Sequence, residues 1–420
     1  MGVLLSPKTY GRIIDLREEE GKEQSRSKDR PLQKERGRRV AGIEWSRARE
    51  GSMSGNKNWG KRPWTVEFRA TPRPLPAAMD FAVVGGGFTG LAAAAWLKRL
   101  APEKSVALFE AGQFGAGSSG YTGGVALAES AAGELPGLGD VLGRYQKILR
   151  ELEVDGEVSL PGAYELGRSA PLANAPIRWK DSGDLCAVKE VPGGTINPGK
   201  VLSGLARAAE RAGVMLFEDC GVEEAVFAGQ VELRTKNSAL QAGKVLFATN
   251  AFALEMAGLR ERAGSAFTLA VATQPLTDAQ LREIGLAERK PFYTVDLPYL
   301  WGRLLAGNQV IFGSGLVFLQ DWRELGTLDI EHGEAAELFE QLERRVHGLH
   351  PALKDVEITH RWGGPICMTW EWKPVFERHP ESENAIVLGA YSGHGVAQSV
   401  YLGCWAAEAI LGRKALPNWK

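Results

Sequence analysis

Around residue 80 the chain reads DFAVVGGGFTGLAAAAWLKRL. An apolar run at 81–84 ends in glycines, and an Ala- and Leu-rich helical run follows at 88–100. A second apolar run, SVALFE, covers 105–110. Strand, helix and strand in this order predict a parallel pair joined by a right-handed crossover. The spacing Gly85-x-Gly87-x-x-Gly90 gives each glycine a physical task. The first makes a tight turn, the second lets a pyrophosphate approach the backbone, and the third lets the helix pack close to the sheet. Phe88 and Thr89 sit at the helix N-terminus, where free N–H groups and the helix dipole favour an anion. Glu110 ends the second strand, where a carboxylate accepts hydrogen bonds from a ribose. An acid at that point disfavours a 2′-phosphate, so FAD or NAD is expected rather than NADP.

Two further glycine-rich segments bear on that choice. The loop AGQFGAGSSGYTGG (111–124) offers Gly117, Ser118, Ser119, Thr122, Gly123 and Gly124. Its N–H groups and hydroxyls suit a second stretch of a long cofactor; the alternative is a linker of small residues. NAD-type folds do not need such a loop here. The segment GAYSGHGVAQ (389–398) lies between a strand-like run at 385–391 and a helical run at 396–412. Gly393, His394, Gly395 and Val396 therefore form a bare strand-to-helix turn that something can approach closely.

The rest of the chain bounds the class. A net charge of −1 over 420 residues argues against nucleic acid or an anionic membrane as partner. Four cysteines with no CxxC pair fit a reducing compartment, so a cytoplasmic location is expected, with no metal framework. No apolar run is long enough to predict a membrane span. Residues 1–60 are expected to be a charged, disordered tail, and Met53 to be a serviceable start, with 1–52 dispensable.

Taken together, FAVVGGGFTGLAAA…FE, GAGSSGYTGG and YSGHGV, in that order, resemble the FAD-dependent D-amino-acid-oxidase-like superfamily. The branch of γ-glutamylputrescine oxidase, glycine oxidase and sarcosine oxidase is the most similar. TINPGKVLSGLARAAERAGV (195–214), VLFATNAF (245–252) and RWGGPI (361–366) extend the resemblance from about Trp64 to Gly412. It implies an α/β fold: an FAD-binding, Rossmann-like parallel-sheet domain over 78–165, 195–265 and 355–415. An α+β substrate domain with a mostly antiparallel sheet would cover 166–194 and 266–354. It implies FAD as cofactor, with Val222 and Thr249 among its contacts, and the turn 393–396 donating N–H groups to the flavin's pyrimidine edge. The implied reaction is oxidation of the C–N bond of an amine or amino acid by hydride transfer to flavin N5. The electrons pass on to O2 or another acceptor. The readings set against it are an NAD-dependent dehydrogenase and a flavin-binding protein without amine oxidation.

Within that frame His394, Trp301, Arg303 and Trp370 are the expected catalytic residues, in a pocket with Tyr299, Phe312, Trp362 and Trp372. Departures from the family pattern are Ala397 where sarcosine oxidases carry a carboxylate-gripping lysine, Ile311 in place of another lysine, and Tyr121-Thr122 in place of Arg-Asn. Arg303 or Arg361 is the replacement expected for the lost grip. Cys367 matches the position of a covalent flavin link in the sarcosine oxidase branch. The alternative for it is a small buried apolar residue.

Overall fold

The computed structural model describes residues 57–419. Strand Ala78–Val84 lies parallel to both Val106–Phe109 and Ala239–Phe247. Helix Phe88–Leu100 connects the first pair, as the sequence predicts. The sheet continues through Met215–Phe217 on one side and Ser382–Gly389 then Val375–His379 on the other. The antiparallel strands Val222–Ala228 and Gln230–Thr235 extend from Ala239–Phe247 as a meander. Strands buried on both faces read as near-continuous apolar runs, and VALF is buried at all four positions.

A second eight-stranded sheet runs in the order Ile358–Thr369, Ala263–Thr273, Val310–Phe318, Trp301–Leu304, Phe292–Thr294, Ala163–Gly167, Asp184–Val191, Arg178–Lys180. All its pairings are antiparallel except Phe292–Thr294 with Ala163–Gly167. Helix Gly333–Leu349 packs on it through Phe339, Leu342 and Val346. Two expected boundaries move. Ile358–Thr369, placed with the first unit by the division at 355, pairs along its length with Ala263–Thr273 in the second sheet. Ala163–Gly167, which the expected boundary at 165 splits, lies wholly in the second sheet.

The last helix, Gly395–Ile410, crosses the first closely. The crossing depends on Gly403, where an added Cβ would lie 2.5 Å from the Thr89 carbonyl oxygen. The expected tail also ends earlier than residue 60. Trp59 is fully buried among Tyr121, Phe252 and Phe267, and Gly60 bridges to Trp362. The remainder of that tail, 1–56, lies outside the described residues. Among the described residues no helix is long and apolar enough to cross a membrane. Nor does any group of three or more His, Cys, Asp or Glu suit a metal ion.

Candidate functional site

A cavity of about 920 Å³ opens between the two sheets. Its floor is the end of strand Ala78–Val84 and the turn Gly85-Gly86-Gly87 into the first helix. Gly85 has φ +108°, and a Cβ on it would strike the Ala248 carbonyl at 2.5 Å. Gly90 is tighter: a Cβ there would lie 1.9 Å from the Gly85 carbonyl oxygen, so it fixes helix to turn and does not line the cavity. At Gly87 the nearest atom is the Ser119 hydroxyl oxygen at 2.8 Å, with the cavity beyond.

Glu110 accepts from the N–H groups of Gly86 (2.8 Å) and Gly112 (3.0 Å). Burial pushes its carboxyl up, while those two N–H groups and the nearby Lys57 ammonium pull it back. Glu110 thus holds the turn 85–87 in shape. Glu110→Ala is expected to weaken FAD binding by on the order of 1–3 kcal/mol, read from fluorescence titration of the apoprotein.

The three glycine-rich segments meet through side chains. The Phe88 N–H donates to the Ser119 hydroxyl at 3.0 Å. The Thr89 hydroxyl and the Tyr391 phenol lie 2.8 Å apart. Asn250 joins the other two: its amide donates to the Ser118 hydroxyl, and its oxygen accepts from the Ala390 N–H, both at 3.0 Å. Asn250 lies in the run ATN, from which the sequence singles out only Thr249. The signal for Asn250 is a polar residue three positions after the end of a buried strand.

The turn 389–395 is held in costly backbone conformations. Ala390 and Ser392 have φ of +53° and +50° without being glycine, and Gly393 has +88°. Such outliers persist where surrounding contacts enforce them, here Asn250 and the Ser392 N–H donating to the Cys367 carbonyl. Gly393, His394, Gly395 and Val396 all line the cavity. The His394 N–H is already used by the Tyr391 carbonyl at 3.0 Å, so it is not one of the free donors expected. Gly395 and Val396 open the last helix, where N–H groups have no acceptor within the helix.

His394 is buried, and loss of solvent lowers its imidazole from the ordinary 6.5 to about 4. The folded protein therefore keeps it neutral where the unfolded chain takes a proton. Its contribution to stability is complete above pH 6.5 and lost as the pH falls from about 6.5 to about 4. The loss over that window is at most about 3 kcal/mol. His394→Gln should flatten this part of the urea-midpoint profile.

The expected residues divide between cavity and elsewhere. Phe88, Thr89, Gly117, Ser118, Ser119, Thr122, Gly123, Val222, Thr249, Trp301 and Cys367 line it. Gly124 does not; its φ of +77° places it against the Ile196 carbonyl behind the loop. Trp301 lies flat on two glycines, where a Cβ on Gly123 or Gly313 would come within 2.1 Å of the ring. Arg303, two residues along the same strand, points behind that loop and donates to the Gly123 carbonyl. Burial lowers its guanidinium to about 10. It anchors the loop and does not reach the cavity. Arg361 is tied to Glu343 on the surface. Trp370 is 47% exposed at the turn after Thr369 and lies outside the cavity; Trp372 tucks inward instead, near Met368. Phe312 belongs to the core with Trp179 and Phe292.

The fit of these residues to a flavin cofactor rests on two observations. The Thr249 hydroxyl is buried against the cavity with no hydrogen-bond partner among the described residues. A buried polar atom of this kind calls for a ligand. The cradle at Gly87 is also open at the point where a side chain would block a phosphate.

Comparison with known proteins agrees. The family DAO, FAD dependent oxidoreductase, matches residues 80–409. The chain is 25% identical over 385 residues to the probable oxidoreductase OrdL of Rhizobium meliloti (strain 1021), spanning 80% of this chain and 83% of that protein. It is 26% identical over 375 residues to the gamma-glutamylputrescine oxidoreductase of Escherichia coli (strain K12), spanning 79% and 84%. In fold it is similar to glycine oxidase from Geobacillus kaustophilus, with a TM-score of 0.64 at 19% identity over 81% of this chain and 96% of that one. L-proline dehydrogenase from P. horikoshii gives 0.64 at 20% identity over 81% and 95%. The FAD-dependent family removes the expectation of NAD.

Proposed function

Since the chain belongs to the DAO family of FAD-dependent oxidoreductases, we propose that it oxidises the C–N bond of an amine or amino acid to an imine. The observation that carries this reading is a single cavity that joins the phosphate turn to an aromatic chamber beneath the turn 393–396. FAD, when bound, supplies the two-electron acceptor for a hydride from the donor carbon.

The chain's own residues do the rest. Gly395 and Val396, at the start of the last helix, direct N–H groups and the positive end of the helix dipole toward negative charge. Tyr293, Tyr299 and Trp301 wall the chamber. The two phenols are turned to internal partners: Tyr293 donates to Glu165 at 3.1 Å and Tyr299 to the Gly315 carbonyl at 2.6 Å. Their rings are left as an apolar surface. Such a wall disfavours an ammonium and keeps a bound amine neutral, the form that gives up hydride. With Arg303 and Arg361 directed elsewhere, neither serves as the carboxylate grip. Donors without an α-carboxylate, such as a polyamine end, suit this chamber better than glycine or sarcosine. O2 or another acceptor completes the turnover.

The test is anaerobic titration of the yellow protein with γ-glutamylputrescine, simple primary and secondary amines, and amino acids. Bleaching of the visible flavin band by an amine is expected. A flavin that dithionite bleaches and none of these donors does would leave a flavoprotein without amine oxidation.

Cys367 lines the cavity as a thiol, pushed up to about 12 by burial. The thiolate needed for covalent attachment is therefore scarce. Acid precipitation should release the flavin into the supernatant. A pellet that stays yellow would make Cys367 the linking residue.

A further inference from the structure

The segment 57–66 lies outside all three glycine-rich segments and outside the matched family region, yet it runs along the second glycine-rich loop. Three of its side chains donate to that loop's carbonyls: Arg62 to Gly115 at 2.8 Å, Lys57 to Ala116 at 3.2 Å, and Trp64 to Gly120 at 2.8 Å. The loop needs this support. Gly115 has φ +87°, and a Cβ on Gly120 would lie 2.0 Å from the Gly115 carbonyl, so its own packing is already at the limit. In a trans peptide the carbonyl and the following N–H point in opposite directions. Holding the Ala116 carbonyl toward the segment turns the Gly117 N–H away from it, and Gly117 lines the cavity.

The segment is itself firmly seated. The Trp59 indole donates to the Leu325 carbonyl at 3.0 Å, and the Gly363 N–H donates to the Trp59 carbonyl at 2.9 Å. The Arg62 guanidinium lies 4.4 Å over the Tyr121 ring, and Trp64 meets Trp362 edge-on at 5.5 Å. Lys57 is different. Its side chain is exposed, lies 3.6 Å over the Trp59 ring, and lines the cavity near Glu110. A surface lysine held this way is ordered before any ligand arrives, which lowers the entropy lost on contact. Glu110 and Glu223 both line the cavity, and FAD brings phosphate charge to it. Lys57 is the cation placed to offset them at the Glu110 end.

We infer that this segment is part of the cofactor site: Lys57 binds FAD at its adenosine end, and Arg62 and Trp64 position the second glycine-rich loop for it. The inference depends on FAD being the cofactor and not on which donor is oxidised.

Its test is the FAD dissociation constant of the full-chain apoprotein, read by flavin fluorescence, beside the apoprotein's melting temperature. No turnover enters, so a protein that oxidises no amine still gives an answer. Lys57→Met should raise the dissociation constant about tenfold, and Lys57→Arg should stay within about threefold of the unaltered chain. Trp64→Phe, which keeps a ring against Trp362 but loses the donor, should raise it about fivefold. The apoprotein melting temperature should hold in both Lys57 variants and fall by no more than a few degrees in Trp64→Phe, which leaves the Gly120 carbonyl unpaired. Unchanged affinity in Lys57→Met overturns the lysine's role. A melting temperature that falls in step with affinity in Trp64→Phe reduces that residue to a structural one and overturns its positioning role.

Discussion

A Gly87→Val protein should fold, stay soluble and purify without colour. The position tolerates a side chain as far as the protein is concerned, because the nearest atom to an added Cβ is the Ser119 hydroxyl, the end of a side chain that can rotate. Its backbone, with φ −81° and ψ −171°, is open to any residue. The added bulk fills the space where a pyrophosphate must come down onto the helix N-terminus. Losing several charge-assisted hydrogen bonds there costs on the order of 3 kcal/mol or more, roughly a hundredfold or more in affinity. Gly90→Ala makes the contrast. Its Cβ would meet backbone at 1.9 Å, so that variant should fail to fold rather than fold empty. The ratio of visible to ultraviolet absorbance, with a melting curve, separates the two. A yellow Gly87→Val protein would mean that the phosphates lie elsewhere.

The second large effect concerns where the chain can begin. A chain starting at Met53 should match the full one in melting temperature and flavin content. One starting at Thr65 should be recovered only as aggregate. The second removes the Trp59 and Trp64 side chains, 2% and 8% exposed. Truncating a buried aromatic costs about 3–5 kcal/mol, and the total stability of a protein is about 5–15 kcal/mol. Two such losses, together with the carbonyls left unpaired at Leu325 and Gly120, are as large as that margin. Expression of both chains with a solubility assay decides it; a soluble, yellow product from Thr65 onward would show that the segment is dispensable.

How much of this was legible in the sequence followed the range over which the physics acts. Gly85, Gly87, Gly90 and Glu110 were readable because a turn, a helix start and a strand end lie within thirty residues of each other. The segment 57–66 was not, since Trp59 and Trp64 show no periodicity and find their partners at Tyr121, Phe252 and Trp362. Strand Ile358–Thr369 was hidden by its Gly-Gly-Pro run, which reads as a turn. It is an edge strand, where a proline without an N–H is tolerated. Gly363 is bare because the Phe267 ring lies over it, 2.1 Å from where a Cβ would stand. Trp370 and Trp372 could not be told apart in sequence, since a single tight turn decides which of the two faces solvent. Arg303 shares a strand face with Trp301, but its partner, the Gly123 carbonyl, is 180 residues away and leaves no mark in the local sequence.

The pairing of Thr89 with Tyr391 joins residues 302 positions apart, and Asn250 reaches the same turn across 140. During synthesis the phosphate turn leaves the ribosome long before the segment that completes its surroundings. Strand Ser382–Gly389 must first add itself to Ala239–Phe247, and the last helix must then lie across the first. A nascent chain can therefore assemble most of a nucleotide fold before the turn 393–396 and the last helix are in place. Tight flavin retention is therefore expected only once the last helix has been made, and a chain stopped before it is expected to lose its cofactor.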